Sequence, residues 1–370
     1  MNHAKLPLGP IQLFCLLFQA QFGLGVLSLP HSIDMAESDG WIACLFGGLL
    51  NIILVLLVCK LVRYDWSKTV FQMLRTKLGP YVGSLLLLAV AVYSFTICYE
   101  TLANWIFLSN LWAYEKTPAW MLTLLLVGGC ALLVYHPIRV FARFSTFAMA
   151  FVPVFVLLIC YTLKDANLDY VLPVFAAGPM KIGSGAWNSM MSYVGVELLL
   201  VLAPCVQMPP ASVLRVAIYS NIAIMAVYML CTFSATAIFG SEMVSFIHDP
   251  LLFQFKTISF KMIERTDLLV LTMWILFIMT TLSSYYFLFV SAVTSMWGST
   301  PNKRVRLWVL IAGAVALFVL GEWQLTVSQL TRLQHFIGLY VPAAAFGLPI
   351  LMLLMMSLSK RLSGGKGVRT

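Results

Sequence analysis

Ten long apolar stretches run through this sequence, and they limit its fold more than any other feature. Each is rich in Leu, Val, Ile and Phe and nearly free of charge. A helix needs roughly 20 such residues to cross a bilayer core about 30 Å thick. The predicted segments, numbered helix 1 to helix 10, are 11–32, 39–62, 80–110, 119–135, 143–163, 187–206, 212–238, 267–297, 305–323 and 335–358. The strict alternation of a membrane β-barrel is missing, so we predict an all-α integral membrane protein with ten transmembrane helices.

The composition supports this class and excludes several others. Apolar residues make up 61% of the chain and charged residues 10%, whereas soluble domains have about 45–50% and about 25%. A soluble enzyme, a disordered chain and a disulfide scaffold are therefore excluded. The net charge of +9 then concerns orientation in the bilayer, and no nucleic-acid partner is expected.

The distribution of charge predicts that orientation. If the N-terminus is cytoplasmic, 16 of the 23 Lys and Arg residues fall on the inner side, and 11 of the 14 acidic residues fall on the outer side. Lys and Arg are enriched in cytoplasmic loops. We therefore expect a multi-pass protein with both termini inside, one transmembrane domain over residues 1–370, and a flexible basic tail at 361–370.

Two connections between the segments have patterns of their own. The inner segment 65–79 places basic residues beside an apolar stripe, which predicts an amphipathic helix at the membrane surface. The outer connection 239–266 is apolar but interrupted by His248, Asp249 and Pro250. We predict that it forms a short surface helix that caps the outer face.

Glycines interrupt two apolar segments at matching places. Gly23 and Gly25 lie in the middle of helix 1, and Gly195 lies in the middle of helix 6. These helices open two halves of five helices each, about 8–165 and about 185–360, and an odd number of crossings inverts the second half. Paired breaks of this kind indicate a binding site in a secondary transporter, although small residues also serve close helix packing.

Unwound backbone in the middle of a membrane needs partners, because unpaired N–H and C=O groups are costly in lipid. The N–H groups after Gly25 begin the outer half of helix 1 and favour a carboxylate. Carbonyl groups near Gly195 can accept hydrogen bonds from an ammonium group. The two breaks together therefore suit a zwitterionic ligand such as an amino acid.

Two acidic side chains, Glu100 and Glu197, lie inside the apolar segments. An ionised side chain at a helix centre costs about 2.5–3.5 kcal/mol or more, so each predicts a proton site or an amine-binding site. Glu197 follows Gly195 by two residues, and Glu100 shares a helix face with Tyr93 and Asn104. The alternative is a protonated carboxyl group that is hydrogen-bonded between helices and holds the bundle in register.

Helix 8 carries several hydroxyl groups within about one turn. Thr280, Thr281 and Ser284 can coordinate Na⁺ where helix 8 meets helix 1, although such hydroxyls more often bond back to their own helix. The sequence has no CxxC, HExxH or phosphate-binding loop, so no metal or other cofactor is expected. The eight cysteines fall in or at the ends of apolar segments, where they act as packing residues, and no disulfide is expected.

Three stretches of the chain resemble a known family. They are FGLGVLSLP at 22–30, the stretch from LPVFAAGPM to VELLLVLAP at 172–204, and the one that begins IERTDLLVLTMW at 263–287. They are similar to the B subunits of endospore germinant receptors, which are spore germination permeases of the amino acid–polyamine–organocation superfamily. The resemblance covers most of the chain. Asp267 stands where the family pattern has Glu, which is a conservative difference.

This resemblance implies a LeuT-like 5+5 inverted repeat with helices 1 and 6 broken. It also implies a place in the inner membrane of the dormant spore and two partners, an A subunit and a lipoprotein C subunit. Such a receptor recognises a germinant, often an amino acid such as L-alanine, and triggers ion release. By position, the residues of the germinant pocket would be Gly23, Gly25, Val26, Ser28, Tyr193, Gly195 and Glu197, with Tyr93 and Glu100 opposite.

Two functions stay open at this point. In the first, the chain is a receptor subunit that binds a small nutrient between helices 1, 3, 6 and 8, and partner subunits detect the state that the ligand favours. In the second, it is a proton-coupled amino acid transporter in which Glu197 or Glu100 carries the proton. Both functions need the same pocket. An enzyme is not expected, because the sequence shows no nucleophile–base pair.

Overall fold

The described part of the chain is helical and long enough to cross a membrane several times. The computed structural model describes residues 8–23, 25–258, 265–298, 302–323 and 325–364. Within these ranges, seven helices are long and apolar enough to span a membrane, and two bent helix pairs bring the number to nine. A shorter apolar helix of 17 residues, Ala119–Tyr135, lies where helix 4 is predicted. The chain is therefore a multi-pass helical membrane protein, and a tenth crossing depends on this shorter helix.

The helices keep the numbers of the predicted segments, and "inner" and "outer" refer to the predicted sides. Helix 1 has an inner half, Pro10–Gln21, and an outer half, Gly25–Ser32. Helix 6 has an outer half, Gly178–Tyr193, and an inner half, Val196–Cys205. The others are helix 2 (Gly40–Val62), helix 3 (Val70–Trp112), helix 4 (Ala119–Tyr135), helix 5 (Ile138–Met149 and Val152–Thr162), helix 7 (Pro210–Phe246), helix 8 (Thr266–Met296), helix 9 (Lys303–Gly321) and helix 10 (Val327–Gly364).

The inner segment predicted at 65–79 is helical from Val70 onward. Thr69 and Gln72 form a reciprocal capping box at its start, which satisfies two backbone N–H groups that would otherwise lack partners. Gly79 then adopts a φ of 84°, a conformation that glycine tolerates and other residues avoid. The chain turns there and enters the membrane-crossing part of helix 3 at Pro80.

Helix 6 begins at Gly178 rather than at the predicted 187. Its first turns are not apolar enough to be recognised from the sequence, and tertiary contacts hold them. The fully buried Asp39 carboxylate accepts hydrogen bonds from the backbone N–H groups of Phe175 and Ala177, at 2.8 and 2.9 Å. Lys181 pairs with Glu37 at the surface.

The other differences concern the ends of helices. Helix 7 continues past the predicted 238 to Phe246, with a bend at Gly240. The predicted cap helix is present at Pro250–Lys256, and its Leu251 and Phe255 are fully buried. Helix 10 extends to Gly364, so the first residues of the tail expected at 361–370 are helical, and 365–370 lie outside the described residues.

The two broken helices lie at the centre of the bundle. Helix 1 packs against helices 5, 7 and 8, and the outer half of helix 6 packs against helix 2. The contact between helices 3 and 8 is the most extensive of all. At the inner side, the N–H group of Leu8 donates to the carbonyl oxygen of Cys205 at 2.8 Å, which joins the inner ends of helices 1 and 6.

Candidate functional site

The breaks in helices 1 and 6 lie directly against each other. The two halves of helix 1 are bent by 51° and those of helix 6 by 42°. A Cβ atom on Gly195 would lie 2.8 Å from Gln21 Cγ and 2.9 Å from the carbonyl carbon of Ala20, and one on Gly25 would lie 2.8 Å from Ser192 Oγ. Glycine is needed for the close approach at Gly195, where a side chain would meet the backbone of helix 1, whereas at Gly25 rotation of the Ser192 side chain could make room. Gly195 also has a φ of 147°, which side chains disfavour.

The carboxyl group of Glu197 binds the backbone of the break in helix 6, two residues before it. Its carboxylate is buried, with 3% of the residue exposed, and Oε2 accepts a hydrogen bond from the N–H group of Gly195 at 2.7 Å. Oε1 accepts one from the Tyr93 hydroxyl of helix 3 at 2.9 Å. The structure thus brings together three predicted site residues, Gly195, Glu197 and Tyr93, from two helices.

No basic side chain among the described residues forms an ion pair with this carboxyl group. Within the described residues, its hydrogen-bond partners are the phenol of Tyr93 and backbone amides. The ring of Tyr285 lies 6.3 Å from that of Tyr93, and both residues are buried. A proton or a cationic ligand group can neutralise a carboxylate in such a place.

Carbonyl groups from both breaks meet at one side chain that the sequence analysis missed. The Tyr228 hydroxyl of helix 7 lies 2.7 Å from the carbonyl oxygen of Gln21 and 2.9 Å from that of Ser192. Gln21 ends the inner half of helix 1, and Ser192 lies in the last turn of the outer half of helix 6. Helix C-termini carry partial negative charge. A tyrosine in an apolar segment gives no sequence signal for this role.

A buried amide network extends from the break in helix 1. Asn51 of helix 2 donates to Gln21 Oε1 at 3.2 Å and to Asn221 Oδ1 of helix 7 at 2.6 Å. Asn221 donates in turn to the carbonyl oxygen of Gly48 at 2.9 Å. Polar side chains inside apolar helices join helices or mark function. Asn51 and Asn221 lie inside apolar segments, so the cost of polar groups in lipid marks them as it marks the two glutamates.

The other predicted pocket residues lie on the outer halves of helices 1 and 6 and farther along helix 3. Val26 is fully buried and Ser28 half-buried on the outer half of helix 1. The Tyr193 hydroxyl donates to the carbonyl oxygen of Cys44 at 2.8 Å, which joins helix 6 to helix 2. Glu100 is 8% exposed and lies about 10 Å from Tyr93 along helix 3, toward the outer side.

Two of the three predicted helix 8 hydroxyls, those of Thr280 and Thr281, contact helix 1. Thr281 donates to the carbonyl oxygen of Gln19 at 2.9 Å, and Thr280 lies 3.2 Å from Gln19 Oε1. Ser284 bonds back to the Thr280 carbonyl oxygen at 2.8 Å. A Cβ atom on Gly23 would lie 2.9 Å from Thr281 Oγ1. Among the residues that the structure describes, no cluster of His, Cys, Asp and Glu could hold a metal ion.

An aromatic cluster connects the break in helix 1 to the cap helix. The Phe22 ring lies 4.9–5.5 Å from the rings of Phe155, Trp274 and Phe277. Phe155 of helix 5 lies 5.5 Å from Phe255 of the cap helix. Apolar packing therefore runs from the cap helix to the break in helix 1.

Solved structures that resemble this chain are transporters. The chain aligns with a Na⁺-coupled sialic acid symporter at a TM-score of 0.67 and 10% identity, over 93% of this chain and 78% of the symporter. It aligns with Mhp1, a nucleobase-cation-symport-1 family transporter, at a TM-score of 0.60 and 14% identity, over 96% of this chain and 80% of that one. The predicted LeuT-like fold is confirmed; at these identities the likeness concerns the fold alone.

Sequence relatives come from spore-forming bacteria. The chain is 23% identical to spore germination protein GerQB of Bacillus cereus, over 74% of this chain and 76% of that protein. It is 21% identical to spore germination protein A2 of Bacillus subtilis (strain 168), over 98% of this chain and 99% of that protein. These relatives are germination proteins rather than enzymes, as expected. The sequence model described as "Spore germination protein" matches residues 7–324, and the chain therefore belongs to the spore germination protein family.

Proposed function

We propose that this chain is the membrane subunit of a spore germinant receptor, that it binds a small nutrient between helices 1, 3, 6 and 8, and that it signals germination. One observation carries the proposal. The breaks of helices 1 and 6 meet in the core of the bundle at a buried carboxyl group, Glu197, which helix 3 holds through Tyr93. A packing role alone does not require an acidic side chain at this point.

An amino acid is the first candidate for the nutrient, because its two charged groups match the two kinds of site. Its ammonium group suits Glu197 and the carbonyl groups of Gln21 and Ser192. Its carboxylate suits the N–H groups that begin the outer half of helix 1 at Gly25. Helices 3 and 8 supply Tyr93 and Thr281 beside the breaks.

Signalling then follows from a shift between two states of the bundle. A ligand moves such an equilibrium only by its difference in affinity for the two states. We propose that A and C receptor subunits detect the favoured state, that both termini are cytoplasmic, and that the protein lies in the inner membrane of the spore. The family and the excess of Lys and Arg in the predicted inner loops support this arrangement.

The test is Glu197→Gln in spores that carry the variant as their only copy of this gene. Each of the twenty L-amino acids is applied separately, and germination is followed by the loss of optical density. We expect normal protein in the membrane and a half-maximal concentration raised about 10-fold or more, because one charge-assisted contact is lost. Glu322→Gln, at an exposed position, is the matched control. An unchanged dose–response at normal protein level would overturn the role of Glu197.

A proton-coupled amino acid transporter is the second candidate. The uncompensated carboxyl group of Glu197 and the fold shared with symporters favour it. Uptake of radiolabelled amino acids into proteoliposomes separates the two functions. Uptake into proteoliposomes that collapses with the proton gradient, together with normal germination of spores that lack the gene, would establish a transporter. Loss of one germinant response without any uptake would establish a receptor.

A further inference from the structure

One hydroxyl group connects the two broken helices. Tyr228 is fully buried in helix 7, and its oxygen lies within 2.9 Å of two carbonyl oxygens, one from Gln21 and one from Ser192. A phenol has a single proton to donate. Two acceptors therefore share one donor at the place where the C-terminal ends of two half-helices converge.

Helix 7 holds the break in helix 1 at a second point. Asn221 lies about 10 Å from Tyr228 along helix 7 and is joined through Asn51 to the side chain of Gln21. Helix 7 thus holds Gln21 through its backbone carbonyl and through its amide side chain. The Tyr228 ring packs against the ring of Tyr193, with centroids 4.9 Å apart. This packing restricts the position of the Tyr228 hydroxyl.

We infer that Tyr228 is a positioning residue that holds helices 1 and 6 together in the resting state, and that a germinant releases this contact by displacing the hydroxyl from the two carbonyl groups. The inference rests on the proposed function. An ammonium group has three donors and can serve both carbonyl oxygens at once, and its charge is attracted to the negative ends of the half-helices. An amine ligand therefore favours the state in which the Tyr228 hydroxyl has withdrawn.

The test is Tyr228→Phe, which removes the hydroxyl and keeps the ring. One net intramolecular hydrogen bond corresponds to a change of about 2- to 12-fold in an equilibrium constant. We expect ligand-independent germination to rise by a factor in that range and the half-maximal amino acid concentration to fall by a similar factor. Tyr286→Phe is the matched control, because that buried hydroxyl donates to the Leu310 carbonyl oxygen outside the breaks, and it should leave both quantities unchanged.

The outcomes separate this inference from the proposed function. If no amino acid acts through the wild-type protein, the proposed amino acid ligand is wrong, while the ligand-independent rate of Tyr228→Phe spores still tests the positioning role. The inference would be overturned if Tyr228→Phe spores had the sensitivity of wild type, or a lower sensitivity at normal protein level. An equal shift of the half-maximal concentration in Tyr286→Phe spores would also overturn it.

A second measurement applies if Tyr228→Phe does not accumulate in the membrane. A Cβ atom on Gly25 would lie 3.4 Å from Ser192 Cβ, close to the separation that a disulfide requires. The pair Gly25→Cys and Ser192→Cys should hold the breaks together when oxidised, and ligand-independent germination of the oxidised spores should be lower than that of the same spores reduced with dithiothreitol. Germination of the cross-linked spores without reductant would show that the contact need not open.

Discussion

Replacing Gly195 by alanine should separate the two broken helices, and the structure allows the cost to be worked out. The residue has a φ of 147° and a ψ of −20°, which costs a residue with a side chain about 1–3 kcal/mol. The new Cβ atom would lie 2.9 Å from the carbonyl carbon of Ala20 and 3.0 Å from the nitrogen of Gln21. These are backbone atoms of helix 1, so a rotamer change cannot relieve the overlap, and overpacking adds about 1–3 kcal/mol.

The expected loss in the free energy of unfolding is therefore about 2–6 kcal/mol. The purified protein in mild detergent is unfolded by a denaturing detergent titration, and germination of variant spores is measured in parallel. Gly128→Ala in helix 4 is the control, because nothing lies within 4 Å of its would-be Cβ atom. We expect that control to gain about 0.5–1 kcal/mol, as alanine is the better helix former.

A Gly195→Ala protein whose stability stays within about 0.5 kcal/mol of wild type would refute this reasoning. It would mean that the break in helix 6 can form with a backbone conformation other than the positive φ of Gly195. If the variant is destabilised as expected but responds normally to germinant, the break in helix 6 is not part of the binding site. The second result would argue against a ligand between helices 1 and 6.

Two further predictions concern the outer side. Asp39→Ala should lower the free energy of unfolding by about 2–5 kcal/mol, because two backbone N–H groups at the start of helix 6 lose a charged acceptor. The control, Glu37→Ala, removes an exposed ion pair and should lower the free energy of unfolding by less than about 1 kcal/mol. Equal losses in the two variants would contradict the capping role of Asp39. The hydrogen bond to Asp249 raises the pKa of His248 above its usual value, against the opposing effect of burial. The resulting stabilisation is complete below the unfolded pKa of about 6.5 and is lost as pH rises through the folded pKa. His248→Asn should therefore lower the melting temperature more at about pH 6 than at about pH 9, and an equal effect at both pH values would contradict the argument.

The site was predicted from the sequence as far as local rules reach. Gly195 and Glu197 stand out because a glycine weakens a membrane helix and an acidic side chain is costly there. The face of helix 3 that carries Tyr93 also follows from helical periodicity. Tyr228 could not be found this way, since its role depends on where helix 7 lies relative to both breaks.

The helix boundaries likewise divide into those that the sequence predicts and those that depend on tertiary contacts. The membrane-crossing segments follow from apolar length, because a bilayer accepts little else. The start of helix 6 does not, because the turns from Gly178 onward are held by the Asp39 carboxylate, far away in the sequence. Where a helix end is stabilised by a distant partner, hydropathy alone misplaces it.

The sequence by itself thus determined that this chain is a helical membrane protein with two interrupted helices and two acidic side chains at membrane depth. These are properties of single segments, set by the cost of transferring each residue into lipid. Only the tertiary structure decided that the breaks lie in contact, that Glu197 folds back on Gly195, and that one hydroxyl of Tyr228 serves carbonyl groups from both helices. Those are relations between segments distant in the chain, and they arise only when the bundle packs.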